Sequence, residues 1–264
     1  FSRFTGAQRG LVWDGDAFKD FLKEGVRGKV SEFGLSSTVG LEGVESRGLE
    51  GWKITWKGED CAFPLPGRHN LLNALAALSV AAELGVDPAI AAAGLASVKP
   101  LFGRSEIFSG AVSLVRDCYN ANPDSVAAAI DFCDSVEWAG RKVYVLGSMR
   151  ELGSSSAGEH AAMGRRAAAS AADAVFFFGD ETEACLEAAL AVKAADPASA
   201  GAGMSLFHTN DLKALVDAVL GYLRKGDLVL AKASRGLALE RFTDALFAAG
   251  LVNAPDRDAV TGAA

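Results

Sequence analysis

Residues Asp117–Ser125, DCYNANPDS, pack two aspartates, two asparagines, a tyrosine and a serine between an apolar run and a helix-like run. Helix initiation accounts for the second half. Asn122 is a suitable cap, Pro123 fits the first helical position, and Ser125 belongs to the first turn. Capping leaves Asp117, Tyr119 and Asn120 unexplained. They precede the cap, at a strand-to-helix corner where side chains point into a crevice.

Three other segments carry groups of the same kind. GSMRELGSSSAGEH (147–160) reads as a glycine-containing loop with a serine cap. It also reads as a loop able to approach a phosphate or a substrate, with Gly147 and Gly153 permitting close backbone contact. KASRG (232–236) holds Lys232, Ser234 and Arg235, either solvated surface groups or a cationic site for carboxylate or phosphate. GRHNLLN (67–73) sets Asn70 and Asn73 three apart on one face of an opening helix turn. They are a cap with a satisfied polar residue, or a pair of amides offering donor and acceptor to an adenine edge. His160 and His208 read as surface or capping residues. No GxGxxG or GxxxxGK[ST] run occurs.

The elements that position these groups follow from periodicity. From about residue 111, apolar strands alternate with helices: VSLVRD, KVYVLG, AVFFFG, MSLFHT and LVLAKAS are the strands, and Asn210 is expected to cap the fourth helix. Five such units predict a Rossmann-like, doubly wound, mostly parallel sheet over 108–252. In such sheets ligands bind beyond the carboxyl ends of the strands, where RDCYNAN, GSMRELG and KASRG fall. Residues 1–107 read as a separate domain portion, with β-type stretches KVSEFGL, GWKITWKG and CAFPL. The alternation in WKITWKG predicts antiparallel pairing. Helices LLNALAALSVAAELG and DPAIAAAGLASV follow, the second capped by Asp87 with Pro88 at its first position. Residues 253–264 read as a flexible tail.

Composition excludes several classes. The chain has 264 residues, 50% hydrophobic, with a formal net charge of −7. Its basic residues are scattered, so nucleic acid is not an expected partner. No apolar run reaches the roughly 18 residues of a membrane span, and no secretory leader is legible. The four cysteines have neither CxxC nor metal-ligand spacing; reduced thiols in a cytoplasmic monomer are expected, and no metal site.

Taken in order, LPGRHNLLNALAA, GRSEIF, DCYNANPDS, GSMRELGSSSAGEH and KASRGLALE resemble the successive motifs of the Mur ligase family, over about 60–250. The resemblance implies a three-domain fold and an ATP- and Mg2+-dependent amide ligase acting through an acyl phosphate. YNANPDS and GSMRELG point within the family to addition of D-alanyl-D-alanine to UDP-N-acetylmuramoyl-tripeptide in peptidoglycan precursor synthesis. It further implies that Asn70 and Asn73 contact adenine, Arg104 reaches ATP, and Asp117 holds the ribose with Tyr119 and Asn120 beside it. Ser148, Met149, Glu151, Lys232, Ser234 and Arg235 would face the peptide substrates.

Two positions depart from the family pattern, which often has Asp where Ser148 stands and Gly where Ala233 stands. The phosphate-binding loop, the magnesium ligands and the modified lysine would all precede Phe1. The chain is therefore expected to be the C-terminal part of a longer ligase, inactive alone. Other Mur-type ligases, adding the third peptide residue or of cyanophycin or folate type, remain alternatives. So does a non-catalytic binding domain.

Overall fold

The computed structural model describes residues 4–195 and 203–254. The chain divides into two compact units, Phe1–Lys99 and Pro100–Ala264.

In the first unit, β1 (Arg9–Trp13), α1 (Lys19–Lys23) and β2 (Lys29–Phe33) form a βαβ crossover, and the two strands pair in parallel. The sequence pattern marks β2 but not its parallel partner β1. Strands β3 (Leu41–Ser46), β4 (Trp52–Trp56) and β5 (Glu59–Phe63) make the antiparallel sheet that the WKITWKG alternation requires. Ile54, Trp56, Cys61 and Phe63 point inward from it against Leu71, Leu75 and Leu78 of α2 (Arg68–Leu84), and against Ala92 and Leu95 of α3 (Pro88–Ala96). Asp87 caps α3 as expected, its Oδ1 accepting from the Ala89 amide at 3.0 Å. Gly85, left-handed at φ 68°, ends α2.

In the second unit, β6 (Glu106–Phe108) runs antiparallel to β7 (Ser113–Asp117). The expected boundary between 107 and 108 therefore falls inside a strand. After β7 come α4 (Pro123–Ser135), β8 (Lys142–Gly147), α5 (Ser156–Ala168), β9 (Ala174–Phe178) and α6 (Glu183–Ala195). The chain continues through β10 (Ser205–Thr209), α7 (Leu212–Tyr222), β11 (Leu228–Lys232) and α8 (Glu240–Ala248). The strand order is β10-β9-β8-β11-β7-β6, parallel except at the β6 edge.

Strands β8, β9 and β11 are buried along their whole length, which is why they read as continuous apolar runs. Leu114, Val143, Val145, Phe176, Val229 and Ala231 face Leu215 and Val219 of α7 and Phe242 and Leu246 of α8. Helix α5 packs against both α4 and α6; α4 also packs against β11, and α6 against β9 and β10. The cap of α7 is Asp211, whose carboxylate accepts from the Lys213 and Ala214 amides, and not Asn210. Asn253 still bonds the Ser109 carbonyl at 2.9 Å; the remainder of the expected tail, 255–264, lies outside the described residues. Among the described residues no helix is long and apolar enough to cross a membrane.

Candidate functional site

The carboxyl ends of β7, β8 and β11 meet at one place because β11 lies between the other two strands. Its register sets Lys232 beside Asp117 on one side and beside Leu146 on the other. The loops after these strands are DCYNAN, GSMRE and KASRG.

Helix α4 begins with a reciprocal capping box. Asn122 Oδ1 accepts from the Ser125 amide at 2.8 Å, and Ser125 Oγ accepts from the Asn122 amide at 3.1 Å. That frees the preceding residues for other work. Asp117 Oδ2 lies 2.7 Å from Lys232 Nζ, and Asp117 Oδ1 accepts from the Ser105 amide at 3.3 Å. The same ammonium donates to the Asn120 carbonyl at 3.0 Å. The Tyr119 amide donates to the Gly103 carbonyl at 2.9 Å. Gly103 has φ 65°, and a Cβ there would sit 3.0 Å from the Tyr119 nitrogen, so glycine is needed for this close approach.

Tyr119 is 43% exposed. The Arg104 guanidinium lies 4.5 Å from its centroid and that of Arg235 lies 5.8 Å away. Arg235 also stands 5.4 Å from the Phe102 ring. Two cations thus stack on exposed aromatics beside a carboxylate, an arrangement suited to an anionic, hydroxyl-bearing ligand.

KASRG stitches the three loops together. The Ser234 amide donates to the Ser148 carbonyl at 3.2 Å, Ser234 Oγ donates to the Ala121 carbonyl at 3.2 Å, and Ser234 Oγ accepts from the Arg150 amide at 2.9 Å. Gly147 makes its close approach to protein: a Cβ there would lie 2.6 Å from that of Ala233.

Of the six residues expected to face peptide substrates, four turn inward. Ser148, Met149, Lys232 and Ser234 are 0%, 1%, 2% and 3% exposed. Glu151 and Arg235 are exposed. Glu151 is held left-handed at φ 67°, an uncommon conformation for a residue with a side chain. Ser148 Oγ is buried without a hydrogen-bond partner and abuts Gly179, where an added Cβ would lie 2.5 Å from it. Burial pushes the Glu181 carboxyl up, but the neighbouring Ser148 hydroxyl, its own backbone and the Arg150 guanidinium outweigh that and hold it below the usual carboxylate range. No hydrogen bond of good geometry closes between Ser148 and Glu181, so the hydroxyl acts there chiefly as a nearby dipole.

In the first unit, α2 begins at Gly67, and the Asn70 side chain donates to the Pro66 carbonyl at 2.8 Å. Asn70 is buried and Asn73 exposed, so the two amides are not equivalent.

Two features escaped the sequence reading. His160 is fully buried: its Nε2 accepts from the Met149 amide at 2.9 Å, and its Nδ1 lies 2.8 Å from the Ser156 carbonyl. It is neither a surface nor a capping residue. Its distance from Met149 in sequence, which one helical turn cannot bridge, left no local signal. Arg116 is also buried, forked onto Glu106 at 2.7 and 2.8 Å, with its guanidinium 4.7 Å from both the Phe102 and Phe108 rings. Among the described residues no three His, Cys, Asp or Glu side chains are grouped to hold a metal ion.

Residues 103–235 match the family model described as "Mur ligase, glutamate ligase domain". The chain is 39% identical over 242 residues to the UDP-N-acetylmuramoyl-tripeptide–D-alanyl-D-alanine ligase of Treponema pallidum, covering 91% of this chain and 50% of that protein. Among solved structures, MurF from Acinetobacter baumannii superimposes with a TM-score of 0.75 at 26% identity, over 91% of this chain and 51% of that one. MurF ligase from Thermotoga maritima in complex with ADP gives 0.69 at 25% identity, over 91% and 53%. The chain spans about half the length of the curated relatives it matches.

Proposed function

Since the chain belongs to the Mur ligase family, we propose that it is the part of a cytoplasmic, ATP-dependent ligase that holds the nucleotide ribose and faces the dipeptide. The whole enzyme would join D-alanyl-D-alanine to UDP-N-acetylmuramoyl-tripeptide. The observation that carries this reading is Asp117, fixed by Lys232 and Ser105 beside the Arg104–Tyr119–Arg235 stack.

In this reading Asp117 accepts hydrogen bonds from the ribose hydroxyls, with Tyr119 and Asn120 alongside. Arg104 and Arg235 offer guanidinium charge to phosphate or carboxylate oxygens, where charge develops during phosphoryl and acyl transfer. Ser148, Met149 and Ser234 shape the loops from beneath and leave direct contact with the dipeptide to exposed Glu151 and Arg235. ATP supplies the phosphoryl group that activates the tripeptide carboxylate before the amine attacks.

The test is an assay of the complete gene product with ATP, UDP-N-acetylmuramoyl-tripeptide and D-alanyl-D-alanine. ADP release in step with dipeptide addition is expected, and Asp117→Ala should reduce it by about two orders of magnitude. ADP release driven instead by lysine, diaminopimelate or glutamate as the amine would move the chain to a sibling ligase. No ADP release with any amine would reject the enzyme reading.

A further inference from the structure

We propose that Lys232 is a positioning residue for nucleotide binding, acting through Asp117 and not by touching substrate; this rests on the ribose assignment above. Four observations carry it. Lys232 is 2% exposed, so its ammonium has no path to a ligand in solvent. It sits beside Asp117 in the register of adjacent parallel strands, 115 residues away in sequence. Its Nζ is 2.7 Å from Asp117 Oδ2 and 3.0 Å from the Asn120 carbonyl, so one cation fixes both the carboxylate and the turn that carries Tyr119. Finally, Asp117 Oδ1 is held separately by the Ser105 amide, which leaves the carboxylate little freedom to rotate.

The chemistry explains why a cation belongs there. A carboxylate that accepts sugar hydroxyls must stand close to an anionic polyphosphate, and an unneutralised charge would repel it. Lys232 cancels that charge from behind, leaving outward lone pairs of Asp117 for hydroxyl donors. A buried ammonium is retained only where its partners are well placed, as these two are. A purely structural lysine would weaken all nucleotides alike; a positioning lysine weakens the contribution of the ribose hydroxyls in particular.

The experiment is calorimetric titration of the complete gene product with ADP and with 2′,3′-dideoxy-ADP, for wild type, Lys232→Met, Asp117→Asn and the double variant. Wild type is expected to favour ADP by about tenfold, the scale of a hydrogen bond to a charged group. Both single variants should bring that ratio close to one. Because Lys232 acts through Asp117, adding Lys232→Met to Asp117→Asn should cost no further ADP affinity.

If Lys232→Met keeps the wild-type ratio, or if the double variant binds ADP clearly more weakly than Asp117→Asn, the inference is overturned while the ribose assignment stands. A wild-type ratio of one overturns the ribose assignment and the inference with it. Should Lys232→Met fail to fold, the double variant, which leaves no buried charge alone, still decides the question against Asp117→Asn.

Discussion

His160 holds the backbone of the GSMRE loop: its Nε2 accepts the Met149 amide at 2.9 Å, and its Nδ1 donates to the Ser156 carbonyl one helical turn earlier. A carbonyl can only accept and an amide N–H can only donate, so these two bonds select the tautomer with its hydrogen on Nδ1. His160→Ala leaves the buried Met149 amide without a partner, at a cost of about 1–3 kcal/mol. Thermal denaturation should show that loss, and hydrogen exchange at Met149 should speed up. Unchanged protection at that amide would contradict the assignment.

Arg116 and Glu106 form a buried fork that also braces the loop carrying Tyr119, because Glu106 Oε2 accepts the Gly103 amide at 2.5 Å and Gly103 in turn bonds Tyr119. Glu106→Ala strands the Arg116 guanidinium among Phe102, Phe108 and Phe247, and about 3–5 kcal/mol of stability should be lost. Arg116→Met combined with Glu106→Leu should recover most of it. Urea denaturation of both variants checks this; equal midpoints for the single and double variants would refute it.

Helices α5 and α6 approach so closely that a Cβ on Gly164 would lie 2.1 Å from the Cys185 carbonyl oxygen. Gly164→Ala should destabilise by about 1–3 kcal/mol, despite alanine's better helix propensity. Gly158, in the same helix, has open space where its Cβ would be, so Gly158→Ala should stabilise by up to about 1 kcal/mol. Opposite signs from one helix, read by chemical denaturation, are the expected result.

In the first unit, Glu83 ties α2 to β1 and β2. Lys29 Nζ at 2.6 Å, Arg9 and the Ser31 hydroxyl at 2.9 Å, named in order of effect, hold its pKa at about 2 against an ordinary 4.5. A carboxyl lowered in the folded state stabilises fully above its unfolded value, and that stabilisation disappears as pH falls from about 4.5 through about 2. The melting-temperature gap between wild type and Glu83→Gln should therefore be largest near neutrality and close by pH 2. It should also shrink with added salt. A gap independent of pH would show that Glu83 acts by packing.

Much of the architecture is legible in the chain because burial on both faces leaves a mark on every residue of a strand. KVYVLG, AVFFFG and LVLAK could scarcely be anything but interior parallel strands, and PDSVAAAIDFC announces its own cap. The corner motifs were equally visible, since polar groups in excess of what capping needs stand out against such a background. The short edge strand β6 left no such mark. Its three residues are only partly buried, and its pairing depends on β7.

The sequence by itself determined the doubly wound class, the helix starts at Asp87 and Asn122, and which strand-end loops hold polar groups beyond what capping needs. Those are decided by local periodicity and by side chains bonding to neighbouring amides. Only the tertiary structure decided which way the loop residues turn. Lys232 and Ser234 face inward because β11 lies between β7 and β8, which brings Asp117, Ala121 and Arg150 within their reach. Arg235, one residue farther on, escapes to the Tyr119 ring. The place of β11 is set by contacts 84 to 115 residues apart in the chain, and no window of sequence carries them.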